Sequence, residues 1–563
     1  MILKEWRLRD APPEGFAQGL GLPEFQARLL FNRGIHNALD VETFLAADGR
    51  LLNDANLLPN MNEAVSRLKA ALESSEIIGV FGDFDTDGIT GTALLFRALG
   101  DLGATVLPYI PDRVDEGHGL NDDAVRFLKS KGVSLLITVD CGATSVAEVD
   151  LAASIGIDTI ITDHHSMLPI WPDAVAVTNP QHPDSEYPDT NLTGVGMSFK
   201  LMEALYQELG KPWPEHLLEL VALGTVADVG PLQGENRFLV KQGLVQLNAT
   251  RSPGLLALAE SAGLKMGALN TESLSFGLIP RLNGAGRLGR ADVSLELLTA
   301  TSKIDASRHA EELNRTNRER QALTSRGVEQ ALSQLEGKFE SNSPPPIIIV
   351  KSEEWIPGIL GLIASRLSEE YYRPAVAISR GQELSRASAR SIPEFNVIEA
   401  LNGSEDLFTR YGGHHQAAGF TVPTRSLPAV EQNLYEEARK HLEGLDLRPS
   451  LSIDSQVALA DFTHENFRFI QSLEPFGAQN PAPVFLTRRA RVVESRLVGA
   501  QKQHIKMRAW HAGTTVDAIA FRQGDKIGET RGEVDLVYTV GLDTWGARPK
   551  LQLTVLEIRR SGK

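Results

Sequence analysis

The sequence predicts an α/β fold: two α/β domains joined by a long helix, followed by a C-terminal β-barrel domain. Strand-like apolar runs at residues 77–81, 135–139 and 159–162 alternate with helical patterns, which is typical of a parallel sheet covered by helices. Residues 293–336 contain almost no Gly or Pro and are rich in Ala, Glu, Arg and Leu, which favours one or two long helices. Past residue 448 the chain consists of short β-rich runs, as in a small barrel.

The first α/β domain opens with a regular alternation of elements. We predict a helix over residues 63–72, a strand over 77–81, a second helix over 90–102 and a second strand over 104–110. Strands that are joined by helices lie parallel, so their carboxyl ends share one edge of the sheet. Ligands of open α/β sheets bind at that edge.

The second α/β domain follows a Pro-rich linker at residues 341–346. Its predicted elements are a strand over 347–350, a helix over 360–371, a strand over 375–378 and a closing helix over 430–442. Five short β-rich runs after this helix predict a small barrel, with an OB-fold as the leading candidate.

These patterns divide the chain into five predicted segments. They are an N-terminal segment at 1–60 that packs on the catalytic domain, the catalytic α/β domain at 61–292, a long connecting helix at 293–340, the second α/β domain at 341–446 and an OB-fold-like nucleic-acid-binding domain at 447–563.

Composition and charge narrow the class of protein. The 563 residues carry a net charge of −16, which argues against coating duplex DNA by bulk electrostatics. A basic stretch over residues 488–508 is the exception, although a solvated face remains the alternative for it. Cys141 is the single cysteine, so no internal disulfide is expected. The N-terminus does not resemble a signal peptide and no apolar run is long enough for a membrane span, so we predict a cytoplasmic protein.

Acidic and histidine side chains follow the predicted strands. An Asp-x-Asp-x-Asp-Gly run begins at residue 83, an Asp-Cys-Gly run at 140 and an Asp-His-His run at 163, and Asp228 lies before a Gly-Pro break. Because strand ends converge, these oxygen and nitrogen ligands suit two divalent metal ions. An EF-hand calcium loop is excluded, since its twelfth position from Asp83 is Leu94 rather than an acid.

A plainer interpretation stays open for each motif taken alone. The acidic run at 83–88 could be a solvated turn, and Asp140 or Asp228 could cap a helix. The two histidines could be an ordinary surface or core pair.

Arginine and glycine dominate the remaining dense motifs. These are Pro-Arg-Leu-Asn-Gly-Ala-Gly-Arg from residue 280, Ser-Ala-Arg-Ser from 388, and Gly-Gly-His-His-Gln-Ala-Ala-Gly from 412, with Arg113 after a predicted strand. Arginine binds phosphate bidentately and Gly permits close approach of the backbone. A structural ion pair is the alternative for any one of these arginines.

Taken together, the motifs resemble the DHH phosphoesterase superfamily. The Asp-His-His run with the two upstream acidic runs is similar to the superfamily signature, and the Gly-Gly-His run at 412–419 is similar to that of the DHHA1 domain. Within the superfamily, the order of motifs from about residue 50 to 560 resembles the RecJ family of bacterial single-strand-specific 5′→3′ exonucleases.

The resemblance implies a role for each matching residue. Asp85, Asp87, Asp140, His164 and Asp228 would bind two Mn²⁺ or Mg²⁺ ions, with Asp140 bridging and Asp83 supplementing them. His165 would contact the scissile phosphate and act in catalysis with Asp140. Substrate phosphates would be bound by Arg113, Arg281, Asn283, Arg287, Ser388, Arg390 and His414, and the barrel would bind nucleic acid through Arg489, Arg491 and Lys506.

The implied activity is hydrolysis of single-stranded DNA from its 5′ end to 5′-mononucleotides, in DNA repair and recombination. A RecQ-type helicase and a single-strand-binding protein are the expected partners, and a monomer is the expected state, with no membrane association. Two alternatives stay open: a DHH phosphodiesterase of short oligonucleotides or cyclic dinucleotides, and a non-catalytic replication scaffold similar to Cdc45. The predicted barrel counts against the first, and the intact acidic set counts against the second.

Overall fold

The computed structural model describes residues 4–113, 116–289, 291–339, 344–543 and 549–562. They form two compact units, which are described separately. The first unit contains residues 53–230 and 242–449, and the second contains residues 4–52, 231–241 and 450–563.

Helices and strands are numbered in chain order. The N-terminal segment holds β1 (Glu5–Leu8), α1 (Phe16–Leu20), α2 (Glu24–Phe31) and α3 (Ala38–Ala46). The first α/β domain begins with α4 (Met61–Glu73), β2 (Ile77–Gly82), α5 (Thr86–Asp101), β3 (Thr105–Tyr109), α6 (Asp122–Ser130), β4 (Val133–Val139), α7 (Val146–Ser154), β5 (Asp158–Thr162) and β6 (Ala176–Thr178). Helices follow: α8 (Gly194–Glu208), α9 (Leu218–Ala227), α10 (Gly234–Asn248), α11 (Pro253–Ser261), α12 (Thr271–Ser273), α13 (Ile279–Arg287), α14 (Asp292–Thr299) and α15 (Lys303–Leu335).

The remaining elements belong to the second α/β domain and the barrel. The former contains β7 (Ile348–Ser352), α16 (Pro357–Tyr371), β8 (Ala375–Ser379), β9 (Leu384–Arg390), α17 (Val397–Asn402), β10 (Arg410–His414), β11 (Ala417–Pro423) and α18 (Leu427–Leu442). The latter contains β12 (Ser450–Ile453), β13 (Ser455–Gln456), α19 (His464–Ser472), β14 (Phe485–Val498), β15 (His504–His511), β16 (Thr514–Ala520), β17 (Glu533–Asp543) and β18 (Lys550–Arg560).

The first sheet is parallel throughout and has the order β3-β2-β4-β5-β6. From β2 the chain crosses to β3 on one side and then returns to β4 on the other, so the strand order reverses between β2 and β4. A crevice opens at the carboxyl ends of two strands where such a reversal occurs. The acidic runs after β2 and β4 therefore meet at this crevice.

The second α/β domain has a mixed sheet with the order β10-β11-β9-β8-β7. Among its described strands β7 and β8 pair in parallel, whereas β9 pairs antiparallel with β8 and with β11, and β10 pairs antiparallel with β11. Its core is built from the alternate buried residues of these strands and from α18. The predicted connecting helix at 293–340 is two helices, α14 and α15, because Ala300 adopts an extended backbone that ends α14 and Ser302 caps α15 through the Asp305 amide. Part of the predicted linker, residues 341–343, lies outside the described residues.

The C-terminal strands form a closed five-stranded barrel in the OB-fold order. Strand β14 pairs with β15, β15 with β16, β16 with β18 and β18 with β17, and β17 closes the barrel by pairing with β14. Closure removes the exposed strand edges, and the alternate side chains that point inward fill the barrel interior.

The N-terminal segment shares a compact unit with the barrel. Residues 4–52 belong to this unit, and the packing of residues 1–60 on the catalytic domain stays a prediction. The physical reason for the shared unit is apolar burial, since Leu29, Leu30 and Ile35 belong to the buried cluster of the barrel. In addition, β1 pairs with β12 as a parallel strand. No hydrophobic periodicity in residues 1–60 indicates whether they pack on the catalytic domain or on the barrel.

Within the described residues, no helix combines the length and the apolar character that crossing a membrane requires.

Candidate metal centre and phosphate-binding cluster

Two of the three aspartates after β2 are held by backbone amides. Asp85 caps α5, and its Oδ1 accepts hydrogen bonds from the amides of Asp87 and Gly88 at 2.9 and 3.2 Å. Asp87 is buried and accepts the amides of Gly194 and Val195, at the start of α8, at 2.7 and 2.9 Å. A carboxylate is favoured at a helix N-terminus, where the amides lack intrahelical partners.

Asp83 has a different environment. Its Oδ1 is buried and accepts no hydrogen bond from the described residues, and the nearest ionisable nitrogen is His118 Nδ1 at 3.6 Å. A buried carboxylate oxygen without a donor is costly unless a cation compensates it.

Asp140 ends β4 in an unusual backbone conformation. Its φ is +61°, a left-handed value that Asp tolerates better than most residues. Its Oδ1 lies 3.0 Å from His164 Nε2. The residue opposite must be small, because a Cβ on Gly194 would stand 2.4 Å from the Asp140 Cβ. Strand end, backbone conformation and Gly194 together fix this carboxylate.

The Asp-His-His run places its two imidazoles in different environments. Asp163 Oδ1 accepts the amides of His164 and His165 and lies 2.8 Å from His165 Nδ1, while Asp163 Oδ2 accepts the amide of Ala143. His165 is about half exposed, with a side-chain exposure of 48%, whereas His164 faces Asp140 and lies 3.9 Å from Asp228 Oδ2. Asp163 is thus occupied in orienting the histidines.

The two histidines also differ in charge. The hydrogen bond that His165 donates to Asp163, and then the negative charge of Asp163, raise the pKa of His165 to about 9. Burial, together with the charge of His165, lowers the pKa of His164 to about 4. His164 is therefore neutral and suited to bind a metal, while His165 is cationic and suited to face a phosphate.

Burial and mutual repulsion raise the pKa of the clustered carboxyl groups. The pKa of Asp85 rises to about 6 through burial and the charge of Asp83. The pKa values of Asp87 and Asp228 rise to about 7, again through burial first and then through a neighbouring aspartate. The pKa of Asp140 lies well above its usual range for the same reasons. Such a cluster needs cations to be fully ionised at neutral pH.

Among the described residues, the ligand atoms form three groups in which all atoms lie within 4.8 Å of one another. Asp140 belongs to two of them and His164 belongs to two. The shared residues make adjacent sites, and the donors are the carboxylates and imidazoles that Mn²⁺ and Mg²⁺ accept. The groups are Asp83–Asp85–Asp140, Asp87–His164–Asp228 and Asp140–His164–His165.

Three of the predicted phosphate-binding arginines lie together beside this cluster. The Arg113 guanidinium lies 4.9 Å from the centroid of the Phe84 ring and interacts with the charges of Asp83 and Asp85. Burial lowers the pKa of Arg287 to about 10, and the charges of Arg113 and Arg390 contribute. Clustered guanidinium groups of this kind are suited to bind an anion.

Helix α16 brings the second α/β domain to the same place. Arg390 Nη1 donates to Ser388 Oγ at 3.2 Å, and a Cβ on Gly361 would stand 2.9 Å from Arg390 Nη2. Gly358 packs on the Arg287 carbonyl, where a Cβ would stand 2.0 Å from that oxygen. Glycines at the start of α16 therefore allow the arginines and Ser388 to approach this helix.

Other predicted substrate residues have different surroundings. Asn283 Oδ1 accepts the Thr86 amide at 2.9 Å and the Thr86 hydroxyl at 2.8 Å, so it supports the start of α5. Arg281 donates to Asn314 Oδ1 and to the Gly277 carbonyl. His414 is exposed at the end of β10. No described contact joins the side chains of Arg281 or His414 to the acidic cluster.

The three predicted barrel residues lie on β14 and β15. Arg489 is exposed and pairs with Glu533 at 3.0 Å, and Lys506 pairs with Asp543 at 3.3 Å. Arg491 is exposed, and among the described residues it has no acidic partner.

Two contributors were missed at the level of sequence. Asp163, which orients both histidines, was not among the predicted site residues although it lies in the Asp-His-His motif. Gly194, which donates its amide to Asp87, lies in a Leu-Thr-Gly-Val-Gly motif whose function was not predicted. The sequence signal for Gly194 was its position just inside a helix that follows the predicted strands.

Comparison with known proteins assigns the family. The sequence matches the models of the DHH family N-terminal domain over residues 77–225, the DHHA1 domain over 345–444 and the RecJ OB domain over 453–557. Single-stranded-DNA-specific exonuclease RecJ of Bacillus subtilis (strain 168) is 36% identical over 546 residues, which are 96% of this chain and 69% of that protein. The chain belongs to the RecJ family. RecJ of Thermus thermophilus is 33% identical over 569 residues, which are 99% of this chain and 78% of that protein.

Solved RecJ structures agree with this assignment. The crystal structure of RecJ in complex with Mn²⁺ from Thermus thermophilus has a TM-score of 0.85 and 31% identity, and it covers 99% of this chain and 80% of that one. RecJ in complex with Mg²⁺ from the same organism has a TM-score of 0.79, 30% identity and coverages of 99% and 79%. The predicted fold class, the RecJ family, a metal-dependent hydrolase and the choice of Mn²⁺ or Mg²⁺ are confirmed.

Proposed function

We propose that this protein is a single-stranded-DNA-specific exonuclease that hydrolyses phosphodiester bonds from the 5′ end and releases 5′-mononucleotides. The observation that supports this most is one crevice that joins a carboxylate–imidazole cluster to a group of buried arginines. The first suits divalent metal ions and the second suits phosphate. The relatives named above are single-stranded-DNA-specific exonucleases.

In this proposal Asp83, Asp85, Asp87, Asp140, His164 and Asp228 hold two ions. The buried, unpartnered Asp83 Oδ1 and the raised pKa of the neighbouring carboxyl groups fit a site that binds cations. When bound, the ions would activate a water molecule and stabilise charge on the leaving oxygen.

The remaining residues orient the substrate. His165, which is cationic and partly exposed, donates a hydrogen bond to the scissile phosphate, and Asp163 keeps its imidazole in place. Arg113, Arg287 and Arg390, with Ser388, bind the phosphate at the 5′ end. Binding the terminal phosphate beside the reacting one would define the direction of degradation.

The barrel binds the single strand through Arg489, Arg491 and Lys506 in this proposal. OB-type barrels suit single-stranded DNA because their exposed cations contact the phosphate backbone and no base has to be recognised.

We also propose two partners, a RecQ-type helicase and a single-strand-binding protein. The protein would be a cytoplasmic monomer with a role in DNA repair and recombination. Pull-down with each purified partner would test the expected partners, and light scattering after size-exclusion chromatography would test the monomeric state.

The decisive experiment uses single-stranded DNA with a 5′ phosphate and a 3′ label. With Mn²⁺ we expect a ladder that shortens from the 5′ end, and we expect no ladder with EDTA, with blunt duplex or with Asp140→Ala. Asp150→Ala is the matched control, because Asp150 is an exposed aspartate on the neighbouring helix α7. No degradation would favour the scaffold, and degradation of oligomers of only a few nucleotides would favour the short-substrate phosphodiesterase.

A further inference from the structure

Helices α13 and α15 pack side by side in a constant register. Arg281 Nε lies 3.2 Å from Asn314 Oδ1, and a Cβ on Gly284 would stand 3.4 Å from the Asn317 Cα. Both contacts join residues that are 33 positions apart, so the two helices advance together. One further step of three residues on each helix brings Arg287 and Arg320 to the same level, and the charge of Arg320 acts on Arg287.

Arg320 is a partly buried cation without a counter-ion among the described residues. Its Nε and that of Arg287 are both buried, and neither atom has a hydrogen-bond partner in the described part of the chain. Burial lowers the pKa of Arg320, and Arg320 is one of the charges that lower the pKa of Arg287. Two desolvated like charges that interact with each other are unfavourable unless an anion compensates them.

We propose that Arg320 is the fourth guanidinium of the cluster formed by Arg113, Arg287 and Arg390, and that it binds the terminal 5′-phosphate monoester of the substrate. This inference rests on the proposed function. No sequence motif pointed to Arg320, which lies on the connecting helix rather than in either α/β domain.

The charge of the cluster favours a monoester over an internal diester. A terminal phosphate carries close to two negative charges near neutral pH, whereas an internal phosphodiester carries one. The carboxylates whose charges act on this cluster belong to the candidate metal centre: Asp83 acts on Arg113, and Asp85 acts on Arg113 and Arg287. Four guanidinium groups therefore match the doubly charged end of the strand better than its interior.

Binding of end-labelled DNA tests this directly. Fluorescence anisotropy would measure the Kd of 3′-labelled oligothymidine with a 5′ phosphate or a 5′ hydroxyl, in EDTA so that no cleavage occurs. We expect wild-type protein to prefer the phosphorylated strand, and Arg320→Gln to reduce this preference about tenfold, as expected for loss of a charged hydrogen bond. Arg326→Gln is the matched control: Arg326 lies on the same helix, is exposed and has no acidic partner among the described residues.

Several outcomes would overturn the proposal. They are a wild-type protein without preference for the 5′ phosphate, an unchanged preference in Arg320→Gln, and equal weakening of both strands by this variant. If Arg320→Gln does not fold, as judged by thermal melting, Arg320→Lys takes its place, since lysine cannot reproduce the bidentate guanidinium and should still reduce the preference; an unchanged preference there would also contradict the proposal. The Mn²⁺ cleavage assay on wild-type protein decides the proposed function separately.

Discussion

At the scale of single residues, the crevice holds several carboxylates close together against their mutual repulsion. Asp140 is the centre of this arrangement, since it belongs to two of the three ligand groups and is buried with a left-handed backbone. Backbone amides stabilise Asp85 and Asp87 but leave a surplus of negative charge. A functional site of this kind costs stability that bound ions restore.

Asp140→Asn should separate stability from activity. Asn tolerates the left-handed backbone and cannot ionise, so it removes the cost of either burying or protonating the Asp140 carboxyl group, and the metal-free protein should melt about 2 °C higher or more. Loss of a side chain that belongs to two of the three ligand groups should reduce cleavage at least about 100-fold. Differential scanning calorimetry in EDTA and in Mn²⁺ measures the first effect, and the Mn²⁺-induced rise in Tm should shrink. A lower Tm in EDTA would contradict the repulsion argument.

The raised carboxyl pKa values predict how stability depends on pH. In the metal-free protein Asp85, Asp87 and Asp228 titrate near pH 6–7, against 3.8 in the unfolded chain. The folded state therefore binds more protons in this window, and its stability should fall by a few kcal/mol as pH rises from about 4 to about 7. With saturating Mn²⁺ the trend from pH 6 to 7 should weaken or reverse, because protons compete with the metal. An equal dependence of Tm on pH in EDTA and in Mn²⁺ would contradict this prediction.

At the scale of elements, helix starts position the reactive groups. The N-terminus of α8 binds the Asp87 carboxylate, and Asn283 on α13 supports the first turn of α5. The N-terminus of α16 carries glycines that admit Arg390 and Ser388. These contacts join segments that are far apart in sequence, so each of these groups depends on packing between helices.

Gly194→Ala should damage the metal centre specifically. The added Cβ would stand 2.4 Å from the Asp140 Cβ and 2.8 Å from its Oδ1, so this carboxylate must move. We expect Mn²⁺ affinity to fall at least about tenfold by isothermal titration calorimetry, the range seen when a group that orients metal ligands is changed. Gly100→Ala is the control, because no atom lies within 4 Å of its Cβ and Ala favours helix by about 1 kcal/mol. Equal affinities in the two variants would contradict the prediction.

At the scale of the whole molecule, the N-terminal segment and the barrel form one buried cluster. Leu29 and Leu30 are fully buried, and Arg237 from the start of α10 donates to the carbonyls of Leu473 and Glu474 in the same unit. Sequence-distant segments therefore stabilise the barrel. The domain limits predicted from the sequence, 61–292, 341–446 and 447–563, stay predictions for limited proteolysis to test.

Removal of residues 450–563 alone should therefore reduce solubility more than joint removal of residues 1–52 and 450–563. The shorter deletion exposes the apolar side chains of α2 that the barrel buries, which favours aggregation. Size-exclusion chromatography and binding of the dye ANS should show aggregates for residues 1–449 and fewer for residues 53–449. The reverse order of solubility would contradict the shared core.

The sequence by itself determined the fold class and predicted the members of the candidate metal centre. Strand-like runs that end in Asp or His predict convergence, because parallel strands end at one edge of a sheet. Only the tertiary structure decided that Asn283 supports α5, that the charge of Arg320 acts on Arg287 and that the N-terminal segment packs with the barrel. Those contacts depend on the register between helices and on burial between distant segments, which local periodicity does not encode.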